Sequence, residues 1–560
     1  MNNNQAINSP PKLAKASLNY LIPFLLFIFS FSIRLSLISK GPYHIDCLNL
    51  ALQAQETLKT HQLHYLFGFG YPLTVLLGSF FVAFTNIFSI DDPVLAINLM
   101  SVFFSSLCVV ANFLFAKKFF HTLLSFPLLN RTPNLPAHRF AIQLAGGPAA
   151  SISPPGDWEL ERKSSITALV SSLLLNVLPS FLGVSIYGTS HTPCLFFLLT
   201  GLYFLMCYLE NKYPRDLFLA SLAVGFMGAN RLQDLILMSI PISFLFFLKT
   251  GQGKKHSTEE NTIGTQLKTC LIFWTITSFI VILFHLPFLI GPAHTSYHNQ
   301  LSAFYQQAFG PNFRGILSPS LLRSLAFLIF NLFPLGLILA AGGFYQLRKQ
   351  STMVFVFLSL WFWGPLLFYG NLHSAAPRFL IISMIPLVLA LGYMVSSIAE
   401  SNTIFKRTPV LLLFLLEFLM FSNIYPILAF RHDHDSLPEF ARWVAKLSEQ
   451  NALIIAGDEG FFIEHYGHRA LLYRPANAFD FKDTELLNFK QKLDDTLARR
   501  TPVYIDANGL YSYDAEKKFS NLIKKNYHLT FLGKKIIEEW YPGEIFKDIQ
   551  WQGLFKITPK

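Results

Sequence analysis

Apolar runs of about twenty residues, repeated along the chain with almost no charge inside them, leave this sequence few ways to fold. The hydrocarbon core of a bilayer offers no water to backbone N–H and C=O groups, so each run that crosses it must be helical. Such runs lie at 18–39, 71–90, 94–116, 165–186, 190–208, 217–248, 269–290, 320–344, 351–370, 378–398 and 409–429. The run 217–248 is long enough for two helices, with residues 229–234 (ANRLQD) as a tight polar corner between them. Composition agrees, because 52% of residues are hydrophobic and only 14% are charged, the balance of a polytopic membrane protein.

The formal charge of +11 is unevenly placed. Residues 431–560 hold 19 basic and 19 acidic side chains, so the whole excess lies earlier, in loops between apolar runs. A positive-inside bias puts it there, and nothing remains to suggest nucleic acid. If the run 71–90 spanned, the loop 117–163 with Lys117, Lys118, Arg131, Arg139, Arg162 and Lys163 would land outside. If 71–90 lies along the outer surface instead, every strongly basic loop falls in the cytoplasm. Those loops carry Lys212 and Arg215, then Lys249, Lys254, Lys255 and Lys268, then Arg348 and Lys349, then Lys406 and Arg407. The reading is therefore about eleven transmembrane helices, N-terminus inside and tail outside. Lys12 and Lys15 precede a first run that lacks a small-residue cleavage site, the pattern of a retained helix.

That topology gathers the loop 40–93, the corner at Arg231, the loop 291–319, the loop 371–377 and the tail on one outer face, where chemistry is expected. The loop 117–163 is Pro/Gly-rich and reads as an irregular cytoplasmic connection. From residue 431 short apolar runs, ALIIAG, ALLYR and PVYID, alternate with helical patterns, which argues a soluble α/β unit with crossover helices. The division is thus 1–430 in the membrane and 431–560 outside it. No phosphate-binding glycine loop occurs in the tail. Five cysteines, Cys47, Cys108, Cys194, Cys207 and Cys270, are too few and scattered for a disulfide framework or metal cluster.

Within the first outer loop, Asp46 opens a segment (IDCLNLALQAQETL) whose apolar residues recur at helical spacing, which predicts an interfacial helix. An aspartate there is a general-base candidate, with Tyr43, His44 and Tyr71 as a pocket rim, or else a plain N-cap. Arg378, at the outer end of FLIISMIPLVLALGYM, is suited to grip a phosphate or simply to snorkel. Arg231 is a second phosphate candidate unless a pair with Asp234 accounts for it. His61, His64, His294, His298 and His373 are candidate pocket residues, as is Tyr297 near them. His-x3-His can place two imidazoles on one helical face, but no third ligand is visible, so no metal or other cofactor is assigned.

Asp46 soon after the first helix, then GFGYPLTVLLGSFFVAF, then DDPVLAINLMSVFFSSLCVV, resembles the N-terminal half of GT-C-fold membrane glycosyltransferases, above all bacterial proteins allied to the protein O-mannosyltransferases. HSAAPRFLIISMIPLVLALG is similar to another segment of that superfamily. The resemblance covers roughly 18–120 and 365–400. It implies transfer of a sugar, with inversion, from a polyprenyl-phosphate donor to an acceptor hydroxyl of a protein, lipid or glycan. By position, Asp46 takes the role of base and Arg378 that of phosphate holder. Localisation in a bacterial inner membrane with the site facing the periplasm is part of the same implication. Two departures stand out: Cys47 where many relatives carry a second acidic residue, and no acidic residue in GTSHTPC at 188–194. A transporter or flippase, and a silent scaffold for envelope assembly, are the rival readings.

Overall fold

In the computed structural model the described residues are 12–64, 71–124, 157–247, 263–290, 319–370, 377–401, 408–457, 459–473, 483–511, 517–539 and 548–560. The chain starts with α1 (Lys12–Ser36), α2 (Ile45–Thr60), α3 (Pro72–Ile87) and the long α4 (Pro93–Leu124). The apolar run at 165–186, read above as one span, is broken. It forms α5 (Asp157–Val177) and α6 (Pro179–Ser185), bent by 62° at Leu178, where Pro179 cannot donate to the preceding turn. Next come α7 (His191–Asn211), α8 (Pro214–Asn230) and α9 (Leu232–Phe246), with Arg231 in extended conformation as the corner expected at 229–234. The bundle continues through α10 (Ile263–Ile290), α11 (Pro319–Gln350), α12 (Thr352–Gly370), a 3-10 turn (Pro377–Leu380), α13 (Ile381–Ser401) and α14 (Thr408–Asp433).

By length and composition, seven helices among the described residues can cross a membrane, and the bent α5–α6 pair makes an eighth. Tyr20–Ser36, Pro72–Ile87 and Leu232–Phe246 are apolar but shorter. The core of the bundle is α4, which packs on α1, α2, α3, α5 and α7, together with the deeply buried α13. Gly343 lets α11 cross α13 closely, because a Cβ there would collide with the Ala390 carbonyl.

After α15 (Ser436–Leu447) the chain builds a five-stranded sheet. Strands β1 (Leu453–Ile455), β2 (Ala470–Tyr473) and β3 (Val503–Asp506) pair in parallel, joined through α16 (Gly460–Gly467) and α17 (Asp483–Ala498). After α18 (Ala507–Tyr511) and α19 (Lys518–Asn526), β4 (Tyr527–Glu539) and β5 (Asp548–Pro559) add a long antiparallel hairpin, giving the order β2-β1-β3-β5-β4. That hairpin was not read from sequence, since Lys534, Lys535, Glu538 and Glu539 dilute its alternation. The two faces of the sheet differ. Ile454 and Tyr504 join the apolar cluster that continues into the helical bundle, whereas Ile455, Val503 and Ile505 form a second cluster with α17 and α19.

The broken α5–α6 path leaves helix C-termini inside the protein, and two buried arginines meet them. Arg34 reaches Asn176 at the end of α5, through Nη1 to the side-chain oxygen at 2.5 Å and Nη2 to the carbonyl at 3.2 Å, and Nη1 also donates to Ser30 Oγ at 2.7 Å. Arg431, from the end of α14, donates to the Gly183 carbonyl of α6 at 3.0 Å. Each cation faces the negative end of a helix dipole and satisfies a carbonyl that the break left without an intrahelical donor. Arg34→Leu is expected to cost roughly 1–3 kcal/mol, the penalty of stranding buried acceptors, seen as a lower midpoint of thermal unfolding in detergent. Arg34→Lys should recover only part, and equal midpoints for all three proteins would refute the capping role.

Candidate active site

Asp46 stands in the first turn of α2, but it is not the cap. The residue at that position is His44, whose Nδ1 accepts the Asp46 backbone N–H at 3.1 Å. This frees the Asp46 carboxylate to face Arg378, whose Nη2 lies 3.0 Å from Oδ2 across 332 residues of chain. A cavity of about 60 Å³ opens beside the pair, lined by Asp46, Tyr71, the 187–191 segment, Arg231, Arg378 and Phe379, with Leu50. Five helix starts converge here: Asp46 from α2, Tyr71 before α3, Ser190 and His191 at α7, Arg231 before α9, and Arg378 in the 3-10 turn. Positive dipole ends and the Arg378 guanidinium make the place suited to an anion.

A buried carboxamide on α4 holds these segments in register. Asn98 Nδ2 donates to the carbonyls of Ser39 (3.1 Å) and Gly41 (3.3 Å) in the first loop. Its Oδ1 accepts the Gly188 N–H at 2.8 Å and the Cys47 thiol at 3.3 Å. One turn on, Ser101 Oγ accepts the Thr189 N–H at 3.0 Å. Gly188 has to be bare, because a Cβ would collide with Ile97 and press on Cys47. Cys47, the departure from the acidic pattern, is thus a packing residue. Burial pushes its thiol up to about 12, so it stays protonated and unreactive.

Arg231 pairs with Asp234 (Nε to Oδ2, 2.6 Å), as the bland reading of that corner anticipated, and yet it also lines the cavity. Its Nη1 donates to Ser190 Oγ at 3.0 Å, and Asp234 in turn receives the hydroxyl of Tyr369. The guanidinium lies over the rings of Tyr71 and Phe379. Tyr71 has positive φ (46°), an uncommon conformation for a bulky residue, and its hydroxyl accepts from Gln233 Nε2 at 3.1 Å.

Asp46, Arg378, Arg231 and Tyr71 therefore come together as candidates, with His44 adjacent. Tyr43 is displaced from the cavity wall, because Arg431 lies 3.6 Å over its ring and holds it against Tyr187. His61 and His64 do not join the site. They sit at the opposite end of α2, about 24 Å away along a 16-residue helix. His294, Tyr297, His298 and His373 lie outside the described residues. Asn98, Ser101, Thr189 and His191 escaped sequence reading. The signal for the first two was a pair of polar residues spaced i, i+3 within an apolar run; for the others it was a polar segment (GTSHT) followed by Pro193, a residue suited to a helix's first turn.

The comparisons with known proteins fall on this frame. Residues 156–284, less than half of the chain, match a family described as dolichyl-phosphate-mannose-protein mannosyltransferase. That stretch runs from α5 into α10 and includes the 187–191 segment and Arg231, whereas the resemblance drawn from sequence lies on either side of it. Match and resemblance thus point to the same class of protein, a glycosyltransferase, from different parts of the chain. Among solved structures, the arabinofuranosyltransferase AftD from Mycobacteria is similar at 12% identity and a TM-score of 0.48, over 96% of this chain and 42% of that one. The chain therefore spans about two fifths of that protein. No curated protein sequence matches.

The imidazole of His44 is held low, at about 4, first by burial and then by Arg378, with Arg431 adding to the effect and Asp46 opposing it. Because Nδ1 accepts a backbone N–H, its 3.4 Å approach to Asp46 Oδ2 is not an ion pair. An unfolded histidine titrates near 6.5. Between that value and about 4 the unfolded state binds the extra proton, so stability is lost as pH falls through this window and levels off below it. His44→Asn keeps a capping acceptor without a titrating group. Its thermal midpoint is expected to fall less than the wild type's between pH 6.5 and 4, and parallel profiles would contradict the assignment.

Proposed function

We infer that the chain is a membrane glycosyltransferase that moves a sugar from a polyprenyl-phosphate donor to an acceptor hydroxyl, with Asp46 as general base. The observation that carries this reading is the pairing of Asp46 with Arg378 on one cavity where helix starts converge. The family match over residues 156–284 supports the reaction class. The outward orientation and a bacterial inner membrane rest on the loop charges and the resemblance. The tail at 431–560 then lies on the acceptor side, where α16 packs against α2.

A glycosyl phosphate carries its own leaving group, so the chemistry asks little beyond alignment, one base and charge stabilisation. Asp46 takes the proton of the acceptor hydroxyl. The oxygen attacks the anomeric carbon from the face opposite the phosphate. The bond from that carbon to the phosphate oxygen breaks, its electron pair stays on the phosphate, and configuration inverts. Arg378 stabilises the departing charge. One nitrogen of the same guanidinium donates to Asp46, which keeps base and phosphate holder side by side, and a guanidinium has further N–H donors with which to meet a phosphate.

Incubating the purified protein in lipid with a panel of polyprenyl-phosphate sugars, and following donor loss by mass spectrometry, tests the reading. One donor should be consumed with acceptor present, and Asp46→Asn should cut turnover by about 10²–10⁴-fold, the usual worth of a general base, without unfolding the protein. Wild-type turnover in that variant would remove Asp46 from the role, and no consumption of any donor with envelope extract as acceptor would remove the reaction. Arg378→Lys should raise the donor KM, because an ammonium cannot hold two phosphate oxygens in a fixed fork; an unchanged KM would separate Arg378 from the phosphate.

A further inference from the structure

Three residues that line the cavity carry, between them, four buried polar atoms with no hydrogen-bond partner among the described residues. They are Arg231 Nη2, Thr189 Oγ1 and both ring nitrogens of His191. Arg231 is 2% exposed and Thr189 5%. Most buried polar groups find a partner; other unmet atoms are scattered through the described residues, whereas these four belong to residues gathered on one cavity, where a ligand can complete the bonding.

Their chemistry says which part of a ligand. The charge of Arg231 is already balanced by Asp234 at 2.6 Å, so this patch offers directed hydrogen bonds rather than net attraction for an anion. Phosphate oxygens only accept. The unmet set is mixed: guanidinium N–H groups donate, the Thr189 hydroxyl donates and accepts, and an uncharged imidazole offers one of each. Tyr71, Tyr187 and Phe379 line the same cavity. Mixed donors and acceptors beside aromatic rings suit a carbohydrate, whose hydroxyls are set on C–H faces. A space of about 60 Å³ has room for a few waters, hence for a hydroxyl-bearing edge of a ring and not for ring and phosphate together.

We propose that Thr189, His191 and Arg231 read one hydroxyl-bearing edge of the transferred sugar, so that donor identity is selected at the start of α7. The proposal rests on the transferase reading above. It assigns to the GTSH segment a specificity role, distinct from the proton transfer at Asp46 and the phosphate contact of Arg378.

The test uses the donor that the full-length wild type consumes and its analogues with each ring hydroxyl replaced in turn by hydrogen. Wild type should lose kcat/KM on one analogue by about 10²-fold or more, because a site built around a hydroxyl rejects its absence. In Thr189→Val, which keeps volume, and in His191→Phe, that ratio should collapse to within about threefold while the ratios at other positions stand. A ratio between substrates is insensitive to how much of a variant is folded. Unchanged ratios in both variants, or equal loss on every analogue, would overturn the proposal and leave the transferase reading intact. If wild type consumed no donor, the transferase reading would fall, and this one with it.

Discussion

One carboxamide, buried on α4, is the contact on which the site depends. Asn98 uses its donors on the first loop and its acceptor on α2 and Gly188, so residues 39–47, α4 and the 187–190 segment share one fixed origin although the three lie far apart in sequence. An asparagine is suited to this because it presents donors and an acceptor in one rigid plane. In an apolar interior those bonds have no competition from water, and losing the ones to Ser39, Gly41 or Gly188 would strand a backbone group. The convergence of helix starts follows, since α2 and α7 begin at the two segments that Asn98 ties together.

The breaks in the bundle serve the same end. Continuous spans would carry their N-termini to the membrane surface in separate directions. Interruptions at Leu178, at Tyr187–Ser190 and at Arg231 bring helix ends inward instead, and Arg34 and Arg431 meet carbonyls exposed at the first of them. Arg34 and Arg431 are thus buried charges that answer irregular backbone, which is tolerated away from water only where protein surrounds it.

Much of this was legible in the chain. Apolar runs give helices because the bilayer leaves no alternative, and the corner at Arg231 announced itself as a polar interruption. Asp46 and Arg378 could each be picked out as a charge beside an apolar run, and the resemblance coupled them to one reaction. What could not be read was contact. The cap on α2 is an imidazole rather than the favoured aspartate, because Asp46 is drawn to Arg378 across the fold. Likewise the 165–186 run looks continuous until Pro179 is seen with Arg34 beneath the break. His61 and His64 looked near Asp46 in sequence, but a helix separates residues fifteen positions apart by its own length.

The sheet at the end of the chain bears on how the protein holds together. One of its faces is sealed by its own helices, and the other merges with the apolar cluster of the bundle through α15, α16 and Ile454. A passenger tethered by a linker would be covered on both sides. This one is half a sandwich whose second slice is the bundle itself, so the tail and the helices around Asp46 share a boundary that neither can finish alone.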